Sequence, residues 1–570
     1  MGDPIASLLL LLRLQDCTGW ALVLKIDKGH RYKLIQDTNG YKRLIPYILA
    51  LVFFIATIFL SFHFISYWQF LTDEGIPVYS AKRILEGQVM YRDFFDIVPP
   101  FTNYLIAFAY YLFGVTLKVA RLTVIMANAL GVVMLWFISH RIVKNKYLSS
   151  IPVILMVIYI GSNFVVSHHW FALDETILTL WLTIRCLDND PCKKYQWILL
   201  GIGTAILFLT IQSIGLALYG MLFIFIIWYL RQTSGGLKDI FKSLSYFTLS
   251  FILPVLFIFL LFYLAGALKP MFYDLFVWPW GHYVMMNNES YIKDIIYSFI
   301  SYNLKFIFLN IMPFILIVIV LLVYLIQRIK SVNKISLNEQ RLVALATVMI
   351  PTFVSSFIST DYYFNILLMP LDVLLIIMLI EYSLTNKKLL RRLFYAYLVI
   401  FSAVEIFNST KYYLYTNNFV HSQYVVKLHT SVGNVIFPRM PKEYLIKYAQ
   451  ADSLSLMHIL NQYSPTTIFV INWSPIIYFL TGATNPTILN TYVPCYNTSD
   501  QAKVVIHQLE QSKTPFIITD NYLSLLEKGS NKNINPCVFD QAHDILYQWI
   551  IRHYTIEKTI LGYTLYKISK

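Results

Sequence analysis

The chain has 570 residues, of which 57% are hydrophobic and 13% are charged, and its mean hydropathy is +0.59. Soluble globular proteins carry about 25% charged residues, so this composition excludes a soluble fold. The 45 Lys and Arg outnumber the 31 Asp and Glu. They cluster in short loops between apolar runs, however, which is typical of membrane topology and argues against nucleic-acid binding.

The apolar runs predict about eleven transmembrane helices, since each can cross most or all of about 30 Å of hydrocarbon as a helix. The stretch before the first run lacks a small-residue cleavage site, so a cleavable signal peptide is not expected. The runs cover residues 44–66, 119–142, 151–167, 172–187, 197–212, 214–230, 244–265, 304–326, 342–358, 364–382 and 393–408.

Basic residues predict the orientation of these helices, because Lys and Arg are enriched in cytoplasmic loops. If the N-terminus is cytoplasmic, each of the five inner loops carries at least three Lys or Arg. The short outer turns at 167–170, around Ser213 and at 359–363 carry none. The agreement of every short loop makes this topology the strongest inference from the sequence.

This orientation divides the chain into three segments. Residues 1–43 are expected to form a cytoplasmic N-terminal segment, residues 44–408 a transmembrane domain, and residues 411–570 a soluble extracytoplasmic domain. Two long loops, 67–118 and 269–303, then also lie outside. The loop 67–118 is dense in charged side chains, so it is the expected functional site.

The C-terminal segment is predicted to be a small α/β domain, because β-branched apolar runs alternate with helix-like stretches. Its last two runs, 554–558 and 563–568, flank Gly562 and predict a terminal hairpin. The fold class expected for the whole chain is therefore an all-α polytopic membrane bundle with a small α/β extracytoplasmic C-terminal domain.

The predicted orientation also places the five cysteines. Cys17 and Cys192 fall inside and Cys186 near the inner face, which leaves Cys495 and Cys537 outside. A disulfide between these two is a hypothesis consistent with an oxidising compartment, and two unpaired buried thiols are the alternative.

The first outer loop resembles that of C-type glycosyltransferases of family 39, which includes protein O-mannosyltransferases and the aminoarabinose transferases of lipid A. The tail segments 476–482 and 485–487 resemble the outer domain of many bacterial members. The residues that carry the resemblance in the loop are Asp73-Glu74-Gly75, Tyr79, Ala81, Gly87, Tyr91-Arg92-Asp93-Phe94-Phe95, Pro99-Pro100, Leu112-Phe113-Gly114 and Arg121.

The resemblance implies an enzyme of the plasma membrane, in bacteria the inner membrane, that moves a sugar from a polyprenyl-phosphate carrier to a glycan, lipid or protein acceptor on the outer face. Such a donor already has a good leaving group, so the protein must supply a base for the acceptor hydroxyl and a counter-charge for the phosphate. Asp73 is the expected base, with Glu74 as a neighbour that tunes the site. The implied outcome is inversion at the anomeric carbon.

Further positions are candidates for the same site. Asp174, at the outer end of the fourth span, resembles a second acidic position of this superfamily, although helix capping explains it equally well. Three cations lie on the outer side of the membrane, although Lys and Arg are otherwise enriched on the inner side: Arg92, Lys118 and Arg121. They are candidates for binding the donor phosphate, with snorkelling to lipid headgroups as the alternative.

A divalent metal ion is a weaker expectation. Asp96 resembles the acidic residue that precedes the double proline in aminoarabinose transferases, but Ile97 and Val98 separate it from Pro99 here. Asp93 competes for the same role, and His282 in the second long outer loop could complete a ligand set. No tight spacing of His, Asp and Glu supports a metal site.

Two other functions remain open from the sequence. A secondary transporter also needs many spans and intramembrane charges, but it predicts inverted repeats, and none is obvious. A catalytically inactive relative predicts that Asp73→Asn has no effect.

Overall fold

A computed structural model describes most of the chain. The described residues are 22–25, 33–36, 38–63, 65–66, 72–162, 165–189, 192–233, 236–279, 312–330, 335–358, 364–384, 388–420, 425–438, 452–471, 474–492, 497–520 and 544–569. The described part is mostly helical, with small sheets at its N-terminal and C-terminal ends.

The helices follow the predicted runs, because long apolar segments satisfy their backbone hydrogen bonds internally only as helices. A short hairpin, β1 (Leu22–Lys25) with β2 (Lys33–Gln36), precedes them. The helices up to the second long loop are α1 Thr38–Phe62, α2 Thr72–Leu85, α3 Phe101–Phe113, α4 Leu117–Ile142, α5 Ile151–Ser162, α6 His168–Asp188, α7 Lys194–Thr210, α8 Gln212–Gln232, α9 Leu237–Leu264 and α10 Leu268–Phe272. After it come α11 Met312–Lys330, α12 Leu337–Ile358, α13 Phe364–Met378 and α14 Lys388–Val420.

Four helices of the described part are both long and apolar enough to cross a membrane on their own. They are Leu44–Phe62, Leu117–Ile142, Gln212–Gln232 and Leu237–Leu264. Other predicted spans form shorter apolar helices, such as Lys194–Thr210. A polytopic helical architecture is thus present, and the count of about eleven spans stays a prediction.

The helices pack as one bundle with apolar residues on both its inside and its outside. Neighbouring pairs include α1 with α4, α4 with α6, α6 with α7, and α7 with α9. Trp136 and Trp170 are fully buried in the core, whereas Phe59 on α1 and Phe257 on α9 are exposed. Large exposed apolar side chains along helices are what a lipid-facing surface requires.

The C-terminal part forms a four-stranded sheet with helices on it. A hairpin of β3 (Val425–Thr430) and β4 (Gly433–Pro438) precedes it. The elements are β5 Ile468–Ile471, β6 Phe516–Asp520, β7 Tyr554–Ile560, β8 Tyr563–Ile568, α15 Ser453–Tyr463, α16 Ile476–Thr481, α17 Ser499–Ser512 and α18 Ile545–His553. The sheet has the order β5-β6-β8-β7, and its β5–β6 pair is parallel. The predicted terminal hairpin is confirmed, since β7 and β8 pair antiparallel around Gly562, which adopts φ 82°.

The cysteine arrangement differs from the expectation. Cys186 at the end of α6 and Cys192 before α7 form a disulfide, although both were expected at the cytoplasmic side, where disulfides are rare. The hypothesised pair Cys495 and Cys537 lies outside the described residues.

Candidate active site

The acidic start of α2 is fixed to the helical bundle by a buried ion pair. Glu74 is 1% exposed, and its two carboxylate oxygens accept hydrogen bonds from Nε and Nη2 of Arg121 on α4, at 2.7 and 2.6 Å. The Arg121 guanidinium also donates to the Ile65 carbonyl at 3.2 Å. Asp73 lies one residue earlier in the same helix, and its side chain is outside the described part.

This pairing bears on the predicted phosphate ligands. The guanidinium of Arg121 is 2% exposed and its planar fork is engaged by Glu74. A phosphate would have to displace a bidentate carboxylate from a buried position to reach it. Lys118, one turn earlier on α4, is exposed. The structure therefore joins two predicted site residues, Glu74 and Arg121, to each other.

Arg92 lies at the rim of an apolar cavity. Its guanidinium donates to Asp93 at 2.8 and 2.9 Å and to the carbonyl of Ala265 at 2.9 Å. The hydrogen bonds from Arg92 hold the pKa of the Asp93 carboxyl below its usual range. Ala265 also lines a cavity of about 400 Å³ between α3, α7 and α9, together with Tyr104 and Phe262.

Asp96 is the centre of a buried hydrogen-bond network. Its carboxylate accepts from Asn103 Nδ2 at 3.0 Å, from the Val98 backbone at 3.1 Å and from Ser80 Oγ at 3.4 Å. Burial raises the pKa of this carboxyl to about 6. Asp96, which the resemblance singled out, is thus a buried and hydrogen-bonded carboxylate within the first outer loop.

A second acid beside Asp96 was missed in the sequence. The Asp274 carboxylate accepts a hydrogen bond from the Asp96 backbone, and burial raises its pKa to about 8. Its Oδ2 has no hydrogen-bond partner within the described residues. Asp274 lies just after α10, in the predicted loop 269–303. Its only sequence signal was an acid in an outer loop.

The predicted metal ligands are not brought together in what the structure describes. His282 lies outside the described residues. Among the described residues, no group of three or more His, Cys, Asp or Glu could hold a metal ion. Asp96 with Asp274 supplies two carboxylates, and metal binding stays an untested expectation.

Asp174 is separate from this cluster and is buried between helices. It lies in α6, is 6% exposed, and neither carboxylate oxygen has a hydrogen-bond partner among the described residues. A Cβ atom at Gly131 of α4 would overlap its Oδ1. The adjacent Glu175 accepts a hydrogen bond from Thr210 Oγ1 at 2.8 Å. The N-cap of α6 is Ser167, and Asp174 lies beyond the first turn of that helix. Helix capping therefore does not explain this acid.

Residues 98–267 match a family of membrane glycosyltransferases. The family model is that of dolichyl-phosphate-mannose-protein mannosyltransferase. The match begins within the first long loop, at Val98, and continues through α9, so it includes Arg121, Asp174 and most of the cavity lining. It confirms the predicted resemblance to C-type glycosyltransferases of family 39 and the predicted class of enzyme, a glycosyltransferase.

Solved structures with a similar overall arrangement are only distantly related. The oligosaccharyltransferase AglB from Archaeoglobus fulgidus, solved with an inhibitory peptide and a dolichol-phosphate, is 11% identical with a TM-score of 0.46, covering 85% of this chain and 70% of that one. ArnT from Cupriavidus metallidurans, bound to undecaprenyl phosphate, is 12% identical with a TM-score of 0.45, covering 93% and 98%. No curated protein matches the chain.

Proposed function

We propose that this chain transfers a sugar from a polyprenyl-phosphate carrier to an acceptor on the outer face of the membrane. The observation that carries the proposal is the family match over residues 98–267. The buried acidic start of α2 and the apolar cavity with Arg92 at its rim support it. The proposal includes about eleven spans and a C-terminal domain from residue 411 outside.

The apolar cavity suits the prenyl chain of such a donor. Its walls are contributed by apolar side chains of α3 and α9, including Phe108 and Leu261. A prenyl chain gains free energy from leaving water in proportion to the apolar area buried. Arg92 at the rim is 45% exposed. It can therefore place a positive charge beside the donor phosphate while the prenyl chain lies in the cavity.

The chemistry is a single inverting displacement. The acceptor hydroxyl attacks the anomeric carbon, the bond from that carbon to the phosphate oxygen breaks, and the phosphate leaves with the electron pair. Asp73 takes the hydroxyl proton as general base. Arg92 and Lys118 offset the charge that develops on the phosphate. The ion pair with Arg121 fixes Glu74, and it therefore also fixes the backbone of the adjacent Asp73.

A substitution at the base tests this proposal. Membranes with the wild-type chain or Asp73→Asn are given a pool of labelled polyprenyl-phosphate sugars, and transfer of label to acceptor is measured. We expect Asp73→Asn to lower turnover by about 100-fold or more at unchanged protein level. Asp500→Asn is the matched control, because Asp500 is 90% exposed on α17. Equal transfer by Asp73→Asn and wild type would refute the role of Asp73, and no transfer above empty membranes would refute the function.

A further inference from the structure

A turn of the C-terminal part packs directly on α2. This turn, residues 485–490, follows α16. The backbone N–H of Asn485 donates to the Tyr79 hydroxyl at 2.9 Å, and the Phe95 N–H donates to the Ile488 carbonyl at 2.7 Å. The rings of Tyr79 and Tyr478 stack with centroids 4.9 Å apart. The turn and α2 are thus joined by backbone and side-chain contacts.

Arg83 is the centre of this contact. Its side chain is 3% exposed, and it donates to Asn490 Oδ1 at 2.7 Å and to the Thr487 carbonyl at 3.1 Å. It also donates to Gln88 Oε1 at 2.6 Å and to the Asp93 carbonyl at 3.1 Å. Burial lowers the pKa of its guanidinium. All four acceptors are neutral, so the hydrogen bonds must offset the cost of burying the charge.

Asn490 extends the contact towards the carboxylates of Asp96 and Asp274. Its Nδ2 donates to Ser80 Oγ at 2.9 Å, and Ser80 Oγ in turn donates to Asp96 Oδ2 at 3.4 Å. One amide side chain of the C-terminal part therefore bonds to two residues of α2 that are three positions apart. Such a pair lies on one face of a helix.

We propose that Arg83 is a positioning residue, which fixes α2 through Asn490 of the C-terminal turn and so orients the acidic first turn of that helix. Glu74 ties one end of α2 to the bundle, and Arg83 ties the other end to the turn. A helix held at both ends keeps Asp73 in one position relative to the donor. The proposal rests on the proposed function, and it makes the C-terminal part a component of the active site.

Asn490→Ala tests the positioning role of Arg83. It removes one of the four acceptors of Arg83 and the donor to Ser80, and we expect kcat to fall by about 10- to 100-fold with the donor KM within about twofold of wild type. Backbone amides of α2 should exchange hydrogen faster. Asn490→Asp keeps an oxygen for Arg83 and should restore most of both properties. Asn461→Ala is the matched control, because Asn461 is exposed on α15.

The two readouts, kcat and hydrogen exchange in α2, separate the positioning role of Arg83 from the proposed function. Unchanged kcat in Asn490→Ala, or a lower kcat with unchanged exchange in α2, would overturn the positioning role. If the wild-type chain transfers no sugar from any lipid-linked donor, the proposed function fails. Exchange in α2 then decides by itself whether Arg83 and Asn490 hold the helix.

Discussion

At the scale of single residues, Glu74, Arg121 and Asp96 are charged side chains that are buried. All three were singled out in the sequence as charges in the first outer loop or at its end. What they contact could not be predicted, because the partner of Glu74 is 47 residues away in the chain. Arg121 was a candidate for binding phosphate, and it binds a carboxylate here. Arg83 and Asp274 were missed because their burial comes from distant segments.

The ion pair between Glu74 and Arg121 predicts a strong effect on stability. Replacing one partner, as in Arg121→Met, leaves an uncompensated buried carboxylate and should cost about 3–5 kcal/mol. The double variant Glu74→Met/Arg121→Met should recover part of that loss. The measurement is thermal unfolding in detergent. Lys118→Met is the control on the same helix, and a loss as large in that variant would contradict the prediction.

Arg92 predicts an effect on donor binding. If its guanidinium binds the donor phosphate, Arg92→Gln removes a charge-assisted hydrogen bond of about 1.5–3 kcal/mol and should raise the donor KM by about 10- to 100-fold. Stability should change little, because the side chain is 45% exposed. Steady-state transfer with a varied donor concentration measures this. A KM equal to that of the exposed control Lys503→Gln would assign the phosphate to another cation.

At the scale of elements, α2 shows what hydrophobic periodicity can and cannot predict. Val78, Ala81 and Leu85 recur at the spacing of one helix face. Val78 and Ala81 are fully buried, whereas Leu85, near the end of the helix, is 37% exposed. The periodicity identifies the helix and its buried face. The partner of that face could not be read from the sequence, because it includes α16, which lies almost 400 residues later.

Gly75 predicts how closely α2 and α16 must approach. A Cβ atom at Gly75 would lie 2.5 Å from the backbone nitrogen of Ile476. Backbone atoms cannot move aside as a flexible side chain can, so Gly75→Ala should separate the helices and lower both thermal stability and transfer. Gly220→Ala in α8 is the control, because nothing lies within 4 Å of its Cβ position. That variant should be neutral or slightly more stable. Equal stability of the two variants would show that α2 and α16 can separate freely.

At the scale of the whole molecule, the order of the segments was predictable and their mutual contacts were not. Composition and loop charges identify a helical membrane protein with an α/β C-terminal part. Contacts between the segments depend on hydrogen bonds such as Arg83 to Asn490, which are 407 residues apart. Local patterns carry no record of pairs at that separation. The acidic cluster is likewise assembled from two loops, with Asp96 in one and Asp274 in the other.

This cluster predicts how stability depends on pH. The pKa of Asp274 is raised by burial to about 8 and that of Asp96 to about 6. An unfolded aspartate loses its proton near pH 4, whereas the folded chain keeps these protons until higher pH. Stability should therefore fall as pH rises from about 4. The Asp96 contribution to the fall ends near pH 6 and the Asp274 contribution near pH 8.

Asp274→Asn separates the two contributions. The amide oxygen of the variant can keep the hydrogen bond from the Asp96 N–H but has no proton to lose, so its stability should stop falling near pH 6. The gap in unfolding temperature between Asp274→Asn and wild type should widen from pH 6 to pH 8. Thermal unfolding in detergent at a series of pH values measures this, and Asp500→Asn should follow wild type throughout. Parallel curves for Asp274→Asn and wild type over that interval would mean that Asp274 is already ionised in the folded chain.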